Sequence, residues 1–218
     1  MIESLFNVLL GLHILGGTVG LICGTLIFSL QKGSKTHRIL GKLFIPGMLL
    51  AGFTSLFMAI IHPNTFLFMV GIFTVYLVGT GARAISSKSA IASQPLDRLL
   101  QLGMVISGLS LGFLGSVGFV KGNYFGIVYI VFALIGLLMV MQDFKNSKSQ
   151  NTAKKAYLSL HLQRLGGGFI ASTTAFLVVN FKELPDWLPV WVLWLLPTLL
   201  ISPLISHYSK KYTPKPKP

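Results

Sequence analysis

The residues of this chain with the types and spacing to do chemistry are its histidines and arginines. His37 is followed by Arg38, and His161 precedes Arg164 by three positions; Tyr76, Thr80 and Arg83 are spaced to share one helix face. Two neutral imidazoles on facing helices can ligate haem iron axially, and arginines beside them can pair with haem propionates. The same groups can instead bind an anionic headgroup or substrate. His13 lies three residues before Gly16, near a stripe of small residues. It reads either as a neutral imidazole bonded to a neighbouring helix or as a ligand or proton relay. Arg83 reads either as snorkelling to headgroups or as pointing inward at an anionic group. The candidate cofactor-binding set is therefore His37, His161, His13, Arg38, Arg83 and Arg164, with haem b the most concrete cofactor.

Other intramembrane chemistries lack their residues. A retinal Schiff base needs a lysine in the last helix, and none lies between Lys182 and Lys210. No carboxylate is expected in mid-span, which argues against a pump built on buried acids. Di-iron and histidine-box sites need clustered carboxylates or His-x-x-His pairs, and the chain has neither. Gly108-Leu109-Ser110-Leu111-Gly112 fits a serine-nucleophile pattern, but Ser110 and His161 differ in depth by roughly 13 Å at 1.5 Å per residue.

The elements that must position these groups are membrane spans. The 218 residues are 53% hydrophobic and 11% charged, with mean hydropathy +0.74, too apolar for a soluble surface. At about 20 residues per span the chain reads as an all-α bundle of seven transmembrane helices. These are Leu5–Leu30, Ile39–Ile61, Thr65–Ile85, Leu96–Val120, Asn123–Gln142, Tyr157–Asn180 and Trp187–His207. Residues 1–208 form one domain, and 209–218 a basic tail without a core-forming pattern. Nearly all the Lys and Arg residues behind the net charge of +13 fall at one end, with only Lys121 and Lys182 at the other. By the positive-inside rule the N-terminus is outside and the tail cytoplasmic. The charge thus reports topology and anionic lipid headgroups at the inner face, and no nucleic-acid partner. A cleaved signal peptide is not expected, since Glu3 stands where a basic region would be.

Within the spans, Gly16, Gly20 and Gly24 make a close-packing stripe on helix 1, and Cys23 beside them serves as a small packing residue. Pro46 is placed in the first turns of helix 2. Helix 4, with Gly103, Gly108, Gly112, Gly115 and Gly118, reads as the central helix. Helix 5, capped by Asn123, reads as lipid-facing with few polar groups, and Asp143–Ala156 as the longest loop. Trp187, Trp191 and Trp194 read as an outer aromatic belt, with Pro197 and Pro203 expected to kink helix 7.

Three segments together resemble a family of bacterial multi-pass inner-membrane proteins carrying a domain of unknown function. They are His13 with Gly17 and Gly24, then Lys32-Gly33, His37-Arg38 and Gly41; Tyr76 with Gly81-Ala82-Arg83-Ala84; and His161-Leu162-Gln163-Arg164-Leu165-Gly166-Gly167 with Ile170-Ala171, Thr174 to Phe176 and Asn180. The aromatic residue that the family implies before the arginine is missing at Ala82. The resemblance implies a location in the bacterial cytoplasmic membrane and no established activity. The expected function is a membrane binding or redox module with a His/Arg site near the cytoplasmic face, with a redox partner or a second copy as candidate partners. The alternatives are a small transporter or anionic-lipid-binding protein without cofactor, and a purely structural assembly partner.

Overall fold

The computed structural model describes residues 1–91, 94–148, 155–185 and 187–211. Among these residues seven α-helices are each long and apolar enough to cross a membrane, and a short 3-10 turn, Phe181–Glu183, precedes the last of them. The seven are α1 (Ile2–Ser29), α2 (Lys35–Ile61), α3 (Thr65–Ser87), α4 (Pro95–Val120), α5 (Gly126–Lys148), α6 (Ala156–Val179) and α7 (Val190–Lys210). Local chemistry sets several boundaries. The Ser34 hydroxyl accepts from His37 N and starts α2, and the Asn64 side chain accepts from Leu67 N and starts α3. Pro95 stands in the first turn of α4, where its missing N–H costs nothing.

The helices pack as a ring around α3. Along the ring α1 lies against α2, α4 against α5, and α6 against α7, while α3 touches α2, α4 and α6. Phe73, Tyr76 and Leu77 of α3 also pack with Val140 and Ile135 of α5. α3 is the most buried of the seven helices, with Phe73, Val75, Leu77, Val78 and Ala84 inside and Tyr76, Thr80 and Arg83 along one polar row. α4 is peripheral, contrary to the reading from its glycines. Only Gly108 and Gly115 meet a neighbour closely, at Leu137 and at Gly126 and Tyr129 of α5. The other faces present Leu99, Leu102, Ile106, Leu109 and Phe113 outward.

The helix 1 stripe behaves as expected. A Cβ on Gly16 would stand 2.5 Å from the Gly47 carbonyl of α2, Gly20 would meet Met48, and Gly24 would meet Phe169 of α6. Cys23 packs with Phe44, Met48 and Val78.

Several expected positions shift. Asn123 stands in the turn that leads into α5, where its side chain accepts from Phe125 N and its carbonyl from Gly126 N, and the α-helix begins at Gly126. α5 continues to Lys148, so Asp143 is helical and buried rather than part of a loop, and α5 carries a charge inward. Pro46 stands in the interior of α2, whose start at Lys35 is earlier than expected. Trp194 is 8% exposed and packs with Phe66, Phe125 and Phe132, whereas Trp187, before α7, is 78% exposed. The belt is therefore reduced to its first member, because aromatic residues from α3 and α5 fill the same end of the bundle. α7 runs unbroken through Pro197, Pro203 and on to Lys210. The tail expected from 209 lies outside the described residues from 212 on, as do Lys154, Lys215 and Lys217.

Candidate functional site

The polar groups of α3, α4, α5 and α6 meet at the end of the bundle that carries the basic turns. Tyr76, Thr80 and Arg83 follow one face of α3, and each has a distinct task. Tyr76, fully buried, donates its phenol to Asp143 Oδ2 at 2.5 Å. Thr80 is also buried, bonded to the Tyr76 carbonyl of its own helix. Arg83 turns inward to Asp97 rather than snorkelling. Its Nε donates to Asp97 Oδ1, its Nη2 to Asp97 Oδ2 at 2.8 Å and its Nη1 to the Gln94 side chain at 3.0 Å. Asp97 Oδ2 also accepts from Gln94 N at 3.0 Å, so one carboxylate serves both the arginine and the start of α4.

The second arginine lies deeper. Arg164 is 0% exposed. Its Nη2 donates to Asp143 Oδ1 at 2.6 Å and to the Met139 carbonyl at 2.9 Å, both on α5. The guanidinium carbon stands 4.9 Å from the centre of the Tyr76 ring, within cation–π range. Its Nε and Nη1 are buried with no hydrogen-bond partner among the described residues. Gly81 makes this geometry accessible, since a Cβ there would stand 2.9 Å from Arg164 Cβ and 2.8 Å from Leu165. Asp97 and Asp143 are two of the five acidic residues in the chain, and both are buried. Both lie toward helix ends and neither at mid-span, as the sequence reading has it, yet both are buried. A cavity of about 20 Å³, lined by Thr80, Arg83, Asp97, Asp143 and Leu160 among others, separates the two pairs. That is the size of a single water molecule.

The histidines are distributed between sites. His161 Nδ1 is 3.1 Å from the Gly81 carbonyl, and His13 Nδ1 is 2.9 Å from the Ala51 carbonyl. A carbonyl only accepts, so both rings carry a proton on Nδ1, and a neutral ring so placed keeps its Nε2 lone pair. His13 thus bonds across helices, as one of its two readings required. It bonds to α2, in the half of α1 away from the arginines. His37 and His161 are close enough to interact electrostatically, and His37 Nδ1 is buried without a partner among the described residues. Arg38, in contrast, is exposed and donates from Nε to the Gly33 carbonyl of its own turn at 3.0 Å. His207 is exposed beside Tyr208, and His62 lies 3.6 Å from Glu3 at the opposite end. Among the described residues no three His, Cys, Asp or Glu side chains converge as a metal site.

The sequence reading missed Asp143 as the partner of Arg164. The signal was there in helical phase: Ala133, Gly136 and Val140 mark the buried face of α5, and Asp143 is the next residue on it. A second feature had no sequence signal. A crevice of about 280 Å³ runs between α5 and the α6–α7 pair, closed at the back by Phe73 and Leu77 of α3. The α5 wall is apolar, with Phe132, Ile135 and Met139. The opposite wall carries Gln163, Thr174, Thr198, Ser202 and Ser206. It adjoins the buried pair through Met139, whose carbonyl is held by Arg164.

No curated protein and no solved structure matches the chain. Residues 10–93 do match a family model. The match spans α1, α2 and α3, including His13, His37, Arg38, Tyr76 and Arg83, and stops short of His161 and Arg164. Over those residues the chain is similar to the family described as predicted membrane protein (DUF2306), a domain of unknown function.

Proposed function

We propose that this protein binds an amphipathic, lipid-like molecule within the membrane, in the crevice between α5 and the α6–α7 pair. The two-sided lining of that crevice carries the reading: an apolar wall for a chain and a wall of hydroxyls and one amide for a polar end. The setting supports it, because a ligand soluble in lipid tails needs no aqueous entrance. We place the basic end at the cytoplasmic face of a bacterial cytoplasmic membrane on the positive-inside rule, with anionic headgroups against its lysines. The test is to measure what the purified protein retains. Ala171→Phe fills the crevice from α6, and mass spectrometry of the wild type in mild detergent is expected to find a bound amphipath that the variant has lost. Equal retention by two variants with unchanged circular dichroism, Ala171→Phe and Ser202→Phe, would overturn the reading.

The haem b module is the second reading, and one observation favours it: the His161 ring bonds the Gly81 carbonyl through Nδ1, so that the neutral ring keeps its Nε2 lone pair free. The arginines offered to the propionates weaken it, since Arg83 and Arg164 are already paired with Asp97 and Asp143. An absorption spectrum before and after dithionite decides. A Soret band with sharpened α and β bands restores haem and the need for a redox partner; a flat spectrum after expression with added haem removes both.

A further inference from the structure

The buried arginine has more donors than partners. Arg164 carries five N–H donors, yet its described bonds all come from Nη2, while Nε and Nη1 are buried without partners. Its one counter-charge is Asp143, whose other oxygen is held by Tyr76. Asp143 in turn lines the water-sized cavity that it shares with Arg83, Asp97 and Thr80. Ser87, the last residue of α3, and Ser89, in the turn after it, belong to that lining, so the cavity extends toward the basic end. Gln163 and Gly167, which flank Arg164 on α6, and Met139, whose carbonyl Arg164 holds, line the crevice, while Arg164 itself is buried just behind that lining.

Removing the Asp143 charge has a definite consequence. A proton arriving on Oδ1 breaks an O–H bond of hydronium and forms one at the carboxyl. The hydroxyl then stands where the Arg164 Nη2 proton points, and the ion pair is lost, while Tyr76 keeps Oδ2. A buried guanidinium with no counter-ion is unstable by several kcal/mol, and its unused donors suit the oxygens of an acid head. We propose that the crevice ligand is an amphipathic anion and that its binding is coupled to uptake of one proton by Asp143, the anion replacing the carboxylate as counter-charge to Arg164. The inference rests on the crevice reading above. Charge balances: the empty state holds Arg164 cation and Asp143 anion, and the loaded state holds Arg164 cation, neutral Asp143 and ligand anion. The other charged and titratable groups around Asp143 are Tyr76 and Arg83 from α3, Asp97 from α4, and Arg164 from α6. His161, one turn before Arg164, is turned to the Gly81 carbonyl. α7 meets α5 around Trp194, away from this cluster.

The experiment uses the full chain in nanodiscs with two probes of equal tail: decanesulfonate, charged at every working pH, and decanol, neutral. Isothermal titration in buffers of different ionisation enthalpy counts protons, with empty nanodiscs subtracted. Expected are about one proton taken up per sulfonate and an affinity falling about tenfold per pH unit wherever Asp143 is ionised in the empty protein. Asp143→Asn should bind sulfonate without proton uptake and without that pH dependence. Sulfonate binding by the wild type with no proton taken up, or decanol binding without sulfonate binding, would overturn the coupling and leave the crevice standing. Failure of both probes to bind would remove the crevice and the coupling together. The proton count on the wild type stands even if the variant does not fold.

Discussion

Two Arg–Asp pairs hold the same end of this bundle, and they are built to different ends. Arg83–Asp97 is a fork on a carboxylate, supplemented by Gln94, and the same carboxylate starts α4. Its polar atoms are satisfied, and it joins α3 to the next helix in the chain. Arg164–Asp143 is a single-nitrogen contact reinforced by Tyr76, fully buried, with donors left over, and it joins α6 to α5 and α3. The first arrangement serves position. The second keeps a charge where charge is expensive, beside the crevice between α5 and the α6–α7 pair, and that cost has a use if the pair opens and closes.

Breaking the buried pair gives the largest expected effect. Arg164→Met leaves Asp143 as a lone buried carboxylate and should cost about 3–5 kcal/mol in reversible unfolding from mixed micelles. Adding Asp143→Leu should recover most of that loss, because an apolar pair of similar volume avoids desolvation altogether. A double variant as unstable as the single would mean that the pair is structural cement and not a held charge. Next is Tyr76→Phe, which removes one hydrogen bond to a charged acceptor and should cost about 1.5–3 kcal/mol. It should also loosen Asp143 enough to ease proton uptake, visible as sulfonate binding that extends to higher pH. Arg83→Lys should cost about 1–2 kcal/mol, since a point charge cannot reproduce the fork and part of the site is solvated. It should leave ligand retention unchanged.

These regions differed in how well the sequence announced them. The Tyr76–Thr80–Arg83 face is legible because helical spacing alone puts those residues in one row. The Gly16, Gly20 and Gly24 stripe is legible for the same reason, and it meets α2 and α6 as a stripe should. The centrality of α3 was hidden by composition. Gly108, Gly112, Gly115 and Gly118 of α4 all turn to one neighbour, α5, at Leu137, Ala133 and Gly126, so they mark one packed face and not a central helix. α3 sits in the middle because it buries residues all round, apolar over most of its circumference and polar along the Tyr76, Thr80 and Arg83 row, a property that counting glycines misses. Asp143 was lost in a different way. Its neighbours Lys145 and Lys148 give the segment a solvated composition, yet the helix carries on and its buried phase includes the aspartate. Charge density reports where a helix end is wet on average, and phase reports which residue of that end turns inward. The crevice could not be read at all, because it arises where α5 and α6, two helices consecutive in sequence, fail to pack along their length.

The third arginine sharpens the contrast by having no carboxylate. Arg38 bears a full charge and lies one residue from His37, and composition alone ranks it with the other two. It is exposed, and its one described bond goes to the Gly33 carbonyl, in a turn where glycine is required by φ of +83°. An exposed side chain bonded to its own turn gives up little water, so its removal should be cheap. Arg38→Ala is expected to change unfolding stability by less than about 0.5 kcal/mol and to leave the retained amphipath untouched. Its measurable effect should be on the surface, as weaker retention of anionic headgroups whose contribution is about 1 kcal/mol per basic residue and falls with salt. Loss of the crevice ligand in Arg38→Ala would place the α1–α2 turn within the site. It would then be the place of Arg38 beside His37, and not the depth of the charge, that sets the ranking of the arginines.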